Sequence, residues 1–274
     1  MISDNNQYLS PKVDIIFKAI FGDERNSNIL KAFLSAVLRL PKDDYEILAI
    51  VDPHLLREYE DDKMGILDVK VKTKSGKVID IEIQCKSSPI MQKRVVYYAS
   101  KMVTEQVGTS EDYGKIKRVI SIIITDYEFI SGSPEYHHRF TLYDTKNKVE
   151  FTDIVEVNTL ELGKLPQAED GSELWDWLKF LSSKSKEEFE MVAEKNPQIK
   201  NAVARLAELS SDERTRLLYE SRMKLEGDIY ARERQVAINI AKNLLDTGLT
   251  VDQIISATSL TYDEVSELRT FLSQ

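Results

Sequence analysis

The chain has 274 residues, 42% of them apolar and 30% charged, enough for one large folded domain or two small ones with a packed core. Its 46 Asp and Glu outnumber 37 Lys and Arg, a net charge of -9 that excludes a uniformly basic nucleic-acid coat but not a local basic site. One cysteine, Cys85, excludes an intrachain disulfide and a thiolate-rich zinc site, and three histidines argue against a histidine-built metal centre.

Residues 1–7 carry neither the basic start nor the apolar stretch of a secretory signal. The longest apolar run, residues 119–124, is interrupted by Ser121 and is too short to cross a bilayer. The expectation is a soluble, cytoplasmic chain in a reducing compartment, with no membrane partner. Pro11 opens a predicted helix that carries Val13, Phe17 and Ile20 and stops at Gly22; a second spans about 28–40 and stops before Pro41. Strand-like alternation then extends from about Ile47 to Leu162. Within it, Pro89 opens a helix through Val95, Ala99, Met102 and Val103, and residues 116–125 read as a buried strand. The order is α-α-β-β-α-β, followed by weaker strands at 140–144 and 149–154. His137-His138 reads as a loop pair, and Trp175 and Trp177 as core and surface residues of a helix.

Beyond Gly171 the spacing is helical, so a boundary is placed at residues 166–171. Ser185 with Glu188 and Ser210 with Glu213 have capping-box spacing, and Leu218, Leu225, Ile229, Val236 and Ile240 keep one stripe through Gly227. Gly248 ends a helix, Thr250 with Gln253 and Thr261 with Glu264 start others, and short helices are predicted at about 232–246, 251–257 and 262–272. Ile254, Ile255, Leu260, Val265, Leu268 and Leu272 would form their core, which looks like a helix-turn-helix. Its second helix, however, starts Tyr262-Asp263-Glu264, and residues 232–274 hold four basic against six acidic side chains, poor equipment for reading a major groove. Homodimerisation through the 218–240 stripe is the expected role. The predicted domains are 1–166, a helical region 172–230, and a three-helix tail 231–274.

The informative stretch is a hairpin. Residues 65–72 and 77–86 both alternate with period two around Ser75-Gly76. Leu67, Val69, Val71, Ile79, Ile81, Ile83 and Cys85 share one face; Asp68, Lys70, Asp80, Glu82, Gln84 and Lys86 share the other. Directly opposed residues share a face, so their numbers must sum to an even value. A three-residue loop with Gly76 left-handed satisfies this, opposing Asp68 to Glu82, Lys70 to Asp80 and Ile66 to Gln84. The Asp68 and Glu82 β-carbons would then be roughly 5 Å apart, near enough to hold one hard cation. A solvated amphipathic hairpin with Lys70 paired to Asp80 fits the parity equally well.

Asp68, followed on the next strand by Glu82-Ile83-Gln84, with a helix before and a helix after, resembles the PD-(D/E)XK nuclease core. Within that superfamily it resembles the recombination-promoting nuclease/transposase family. Residues 11–22 resemble the family's opening motif, residues 81–84 its second catalytic strand, and Arg94-Val95-Val96-Tyr97-Tyr98 the start of its following helix. The resemblance covers about residues 8–165, and the tail more loosely. It implies an α/β fold with a restriction-endonuclease-like α-β-β-β-α-β core and mixed sheet, followed by an all-α C-terminal region.

The resemblance also implies a magnesium-dependent DNA endonuclease, with manganese a possible substitute. Asp68 and Glu82 would be metal ligands, joined by the backbone carbonyl of Ile83. Gln84 stands at the third catalytic position, usually Lys; an amide orients water but supplies no positive charge. Lys86, Lys18 or Arg94 could supply it. Arg94 is favoured, because Arg94, Tyr97, Tyr98 and Lys101 recur at helical spacing and could form one phosphate-facing stripe, although a snorkelling helix surface with Tyr97 or Tyr98 partly buried fits that spacing equally well. Asp14 is an accessory acid, and Lys86, Arg94, Tyr98 and Lys101 are the expected DNA contacts. From Asp68 to Lys101, eight Lys and Arg face three Asp and Glu, a basic island in an acidic chain. Two other readings stay open: a catalytically degenerate nuclease fold that binds DNA or protein, and a regulatory or oligomerisation protein acting through its helical half.

Overall fold

The computed structural model describes residues 8–38, 40, 44, 48–51, 68–108 and 111–272. Pro11 sits in a turn, and the first helix, α1 (Asp14–Phe21), starts only where the N–H groups of Ile16 and Phe17 can reach the Val13 carbonyl. At its end the Gly22 N–H bonds to the Lys18 carbonyl, and a Cβ on Gly22 would lie 2.8 Å from that oxygen and 3.6 Å from Val69 Cγ2. The contact with the Lys18 carbonyl oxygen favours glycine here, whereas the approach to Val69 is ordinary van der Waals contact. α2 (Ser27–Val37) ends three residues before the position expected from Pro41, because Leu38 is already extended at φ -109° and ψ 143°.

The hairpin sets the register of the sheet. Gly76 adopts φ +86°, its N–H bonds to the Thr73 carbonyl, and the Thr73 N–H bonds to Lys77 across the turn. β2 (Val69–Thr73) therefore pairs with β3 (Val78–Gln84) as Val69 to Ile81 and Lys70 to Asp80, the register required by parity. Leu67 and Ile66 lie outside the described residues. β1 (Leu48–Val51), β2 and β3 are antiparallel; β4 (Val119–Thr125) and β6 (Val149–Glu161) add in parallel, and β5 (His137–Asp144) closes the far edge antiparallel to β6. The result among the described residues is a mixed six-stranded sheet in the order β1-β2-β3-β4-β6-β5. The last two strands are longer than the sequence pattern foretells. His137 and His138 belong to β5 rather than to a loop, because Leu160 and Thr159 of β6 pair alongside them.

The crossover from β3 to β4 is α3 (Met91–Thr104). Its Val95, Ala99 and Met102 cover the sheet face that carries Val119 and Ile123, while Ile79, Ile81, Val69 and Val71 are buried on the opposite face. α1 packs against β3.

After β6 come α4 (Glu173–Ser182), α5 (Lys186–Lys195) and α6 (Pro197–Ser211). Composition changes at residues 166–171, but these helices share a core with α1 and α2. Trp177 is fully buried, 5.8 Å from the Phe21 ring and 5.9 Å from Phe33. Trp175 is also buried, its indole N–H donating to the Pro166 carbonyl, so both indoles lie in the core and neither at the surface. The first compact unit accordingly ends at Arg216 and a second spans Leu217–Gln274. Ser185 and Glu188 form the expected capping box, whereas Ser210 lies inside α6 and bonds back to Leu206; Asp212 instead caps α7 (Glu213–Asp246), its carboxylate accepting from Thr215 N–H. α7 is one 34-residue helix that passes through Gly227, so the helix expected at 232–246 is its last part.

In the second unit α8 (Val251–Thr258) and α9 (Tyr262–Leu272) follow. Ala241, Ile254, Leu260 and Val265 are its buried core, with Ile255 and Leu268 packed against them. Gly248 turns the chain at φ +81° and Thr250 with Gln253 caps α8, as the sequence indicates. The side chain of Leu272 lies outside the described residues.

Candidate active site

The register places Asp68 opposite Glu82, where β2 begins and β3 ends. Odd-numbered β3 residues direct their N–H groups toward β2, and beyond Val69 the Asp68 side chain takes over as acceptor. Its Oδ2 accepts from Ile83 N–H at 2.8 Å, and Oδ1 lies 3.1 Å from Lys18 Nζ. Burial raises the Asp68 pKa, while the Ile83 hydrogen bond and the Lys18 charge oppose the shift.

Even-numbered β3 residues face α3, and of them Asp80 and Glu82 are not solvated. This corrects the picture of a water-facing polar side: the crossover helix covers it. Asp80 is 2% exposed and Glu82 5%. Burial, reinforced by the Glu82 charge, pushes Asp80 up to about 8, although Ser121 donates to it at 2.6 Å. Lys70 does not pair with Asp80; its Nζ lies 3.4 Å from Glu105. Glu82 is pushed up to about 7, chiefly by burial and also by Asp68, against the pull of Arg94 and Lys18. Arg94 Nη2 is 3.7 Å from Glu82 Oε2, whereas Glu82 Oε1 is buried with no hydrogen-bond partner.

The other candidate residues divide. Arg94 also lies over the Tyr98 ring, 5.6 Å from its centroid, and its side chain is 41% exposed. Tyr97 is exposed and packs edge-on against Tyr98. Lys101, in the last turn of α3, and Lys86 are half-buried. The Gln84 amide donates to the Lys86 carbonyl at 3.2 Å. Asp14 accepts from Ile15 N–H and lies near enough to raise the proton affinity of Asp68. Cys85, assigned by parity to the apolar face, is exposed, because β3 ends at Gln84 and the thiol turns to the Lys12 carbonyl. Tyr127 escapes sequence reasoning. Two residues beyond β4, it presents a buried hydroxyl with no partner within the field of Arg94; the one signal is an aromatic placed just after a fully buried strand.

Among the described residues no group of three or more His, Cys, Asp or Glu is arranged to hold a metal ion. The donor chemistry at Asp68 and Glu82 is nevertheless that of a hard cation: two carboxylates, one with an oxygen buried and unpartnered. Such ions take their remaining ligands from water and substrate phosphate.

A mixed sheet flanked by helices, with acidic side chains where an antiparallel strand pair meets a parallel one, defines an α/β nuclease-type fold. The chain belongs to the PD-(D/E)XK nuclease family transposases, whose family model matches residues 11–235. The match extends beyond the strand-rich half into α7. Comparisons with curated proteins and with solved structures return no match. No helix among the described residues is long and apolar enough to cross a membrane.

Proposed function

We propose that the protein is a divalent-cation-dependent DNA endonuclease, with magnesium its ion and manganese a substitute, in a family whose nucleases typically use divalent metals. The observation that carries this reading is Glu82 Oε1, buried without a partner on the strand next to Asp68. When bound, the ion neutralises phosphate charge and lowers the pKa of a water. Asp68 and Glu82 supply its carboxylate ligands, with the Ile83 carbonyl alongside. Ile83 N–H fixes the orientation of Asp68 through Oδ2. Gln84 orients water, and the cationic function that a Lys would supply there falls to Lys18 and Arg94, each already beside one carboxylate. Asp14 is an accessory acid, and Lys86, Tyr98 and Lys101 extend the contact to DNA.

A second reading, a degenerate fold that binds without cutting, is favoured by Gln84 and by the ion pair that occupies Asp68. Plasmid nicking separates the two. Activity with magnesium that vanishes in chelator and in Asp68→Asn and Glu82→Gln supports the nuclease; DNA binding with no nicking under any divalent ion leaves the degenerate module. A recombination role and homodimerisation through α7 belong to the same proposal. The exposure of Leu218, Leu225, Ile229, Val236 and Ile240 supports association with a second copy.

A further inference from the structure

We infer that the cleft between the β2–β3 hairpin and the C-terminal end of α3 is a second contact for the phosphate backbone of duplex DNA, on the same sheet face as the carboxylates. The inference rests on the nuclease reading for its ligand, but not on cleavage.

The cleft is about 490 Å³ and is lined by Lys70, Lys72, Lys115 and Lys117, with Glu105 the one acid in its lining and Val78 and Met102 among its apolar residues. Even-numbered β2 residues share the face of Asp80 and Glu82, so Asp68, Lys70 and Lys72 stand in a row leading from the carboxylates to the hairpin. At about 3.4 Å per residue, Asp68 and Lys72 are roughly 14 Å apart, a span within reach of a few consecutive phosphates of one DNA strand. Glu105 holds Lys70 at 3.4 Å, and Glu111 lies 3.7 Å from Lys115. Lys72 and Lys117 have no carboxylate partner among the described residues and are exposed. Lys117 is nevertheless not loosely tethered. The Gln106 side chain accepts from its N–H at 2.7 Å and donates to its carbonyl at 3.0 Å, clamping that backbone against the end of α3. Gly76 completes the wall: a Cβ there would lie 3.2 Å from Lys117 Cγ. Lys72 and Lys117, unpaired beside two further lysines on a concave surface, fit a chain of single negative charges better than they fit a protein with mixed charge.

The sequence alone shows the lysines of the hairpin but not Lys115 and Lys117, which the fold brings to them from across α3. Binding of the full chain to a fluorescent 20-base-pair duplex, read by anisotropy in chelator between 50 and 200 mM salt, tests the inference without any cutting. Lys72→Glu/Lys115→Glu/Lys117→Glu is expected to weaken binding at least tenfold at 100 mM salt and to reduce the salt slope by about 2 to 3. The charge-neutral Lys72→Gln/Lys117→Gln should reduce the slope by about 2, and an unchanged melting temperature separates the effect from misfolding. A slope identical to that of the wild type, or competition by inorganic tripolyphosphate with no change in the duplex slope, overturns the inference. A wild-type chain that binds no duplex overturns it together with the DNA reading, whereas one that binds through these lysines but never nicks with magnesium defeats the nuclease alone.

Discussion

Asp68 Oδ2 accepts a 2.8 Å hydrogen bond from the backbone N–H of Ile83, so the first acidic residue of the site is locked to the strand that carries the second. A backbone N–H that would otherwise seek a strand partner is satisfied by a side chain, and the position of the carboxylate follows from the register. Asp68→Asn keeps an acceptor for this N–H, whereas Asp68→Ala removes it and exposes a strand end. Both are expected to abolish metal-dependent nicking. Only Asp68→Ala should also cost stability, on the order of 1–2 kcal/mol, read as a lower melting temperature. Gln84→Ala, which removes an amide that merely orients water, should slow cleavage less than either. Nicking by Asp68→Asn at the wild-type rate would remove Asp68 from the chemistry.

The rate should rise with pH through neutrality. Burial holds Glu82 at about 7, and a cation binds only its ionised form, so more of the site is competent at pH 8 than at pH 6. Increasing magnesium competes with the proton and should move the midpoint to lower pH. A profile flat from pH 6 to 8, or a midpoint indifferent to magnesium, would contradict the role of Glu82.

The same shifts act on stability with the opposite sign. Asp80 and Glu82, raised to about 8 and about 7 from ordinary values of 3.8 and 4.5, keep protons in the folded chain that the unfolded chain releases. Their contribution to stability is full below the ordinary values and is lost as pH climbs through the raised ones. Asp80→Asn retains a partner for Ser121 and cannot ionise. Its melting temperature should match the wild type at pH 4 or below and exceed it by a margin that widens to about 10 °C at pH 9. A difference that is constant with pH would show that Asp80 does not titrate as its burial demands.

Lys18 lies 3.1 Å from the Asp68 carboxylate and so competes with any cation bound there, while also offering charge to a phosphate. Lys18→Met should therefore tighten half-saturation by manganese and yet lower kcat, by about 10²-fold if the charge acts in the transition state. Arg94→Ala should act differently. Losing the cation that opposes protonation of Glu82 moves the pH midpoint of cleavage upward. The pair of measurements distinguishes two cations that the sequence alone leaves interchangeable.

Parity located much of this arrangement. The even sum of opposed residues fixes Asp68 opposite Glu82, and the left-handed Gly76 turn obeys it. Burial of that face was not legible, because alternating Asp80, Glu82 and Gln84 look like a solvated strand until α3, folded from residues that follow, covers them. The core shared by Phe21, Phe33 and Trp177 was hidden for a similar reason: aromatic side chains far apart in the chain meet only once α4 packs beside α1 and α2. Tyr127 carries no periodic signal at all. The resemblance to the nuclease core joined these pieces where spacing could not, since Asp68 and Glu82-Ile83-Gln84 in that order between two helices form one pattern.

The last expectation concerns the exposed face of α7. Leu218, Ile229 and Ile240 repeat every 11 residues, and Leu225 and Val236 share the same interval, so the stripe stays near one side of the helix, drifting by about 20° per repeat. Leu218 is 56% exposed, Leu225 50%, Ile229 41%, Val236 53% and Ile240 43%. A contiguous apolar line of this length, costly to leave in water, is best covered by its own copy, since a twofold axis lets one patch serve both sides. The full chain should scatter light as a dimer at micromolar concentration. Leu225→Glu/Ile229→Glu places two carboxylates in the middle of the stripe and should yield a monomer. Circular dichroism should show unchanged helicity, because neither side chain belongs to the buried core formed by Ala241, Ile254, Leu260 and Val265. A wild-type chain that is monomeric at micromolar concentration, or a double variant that remains dimeric, removes α7 as the dimer contact.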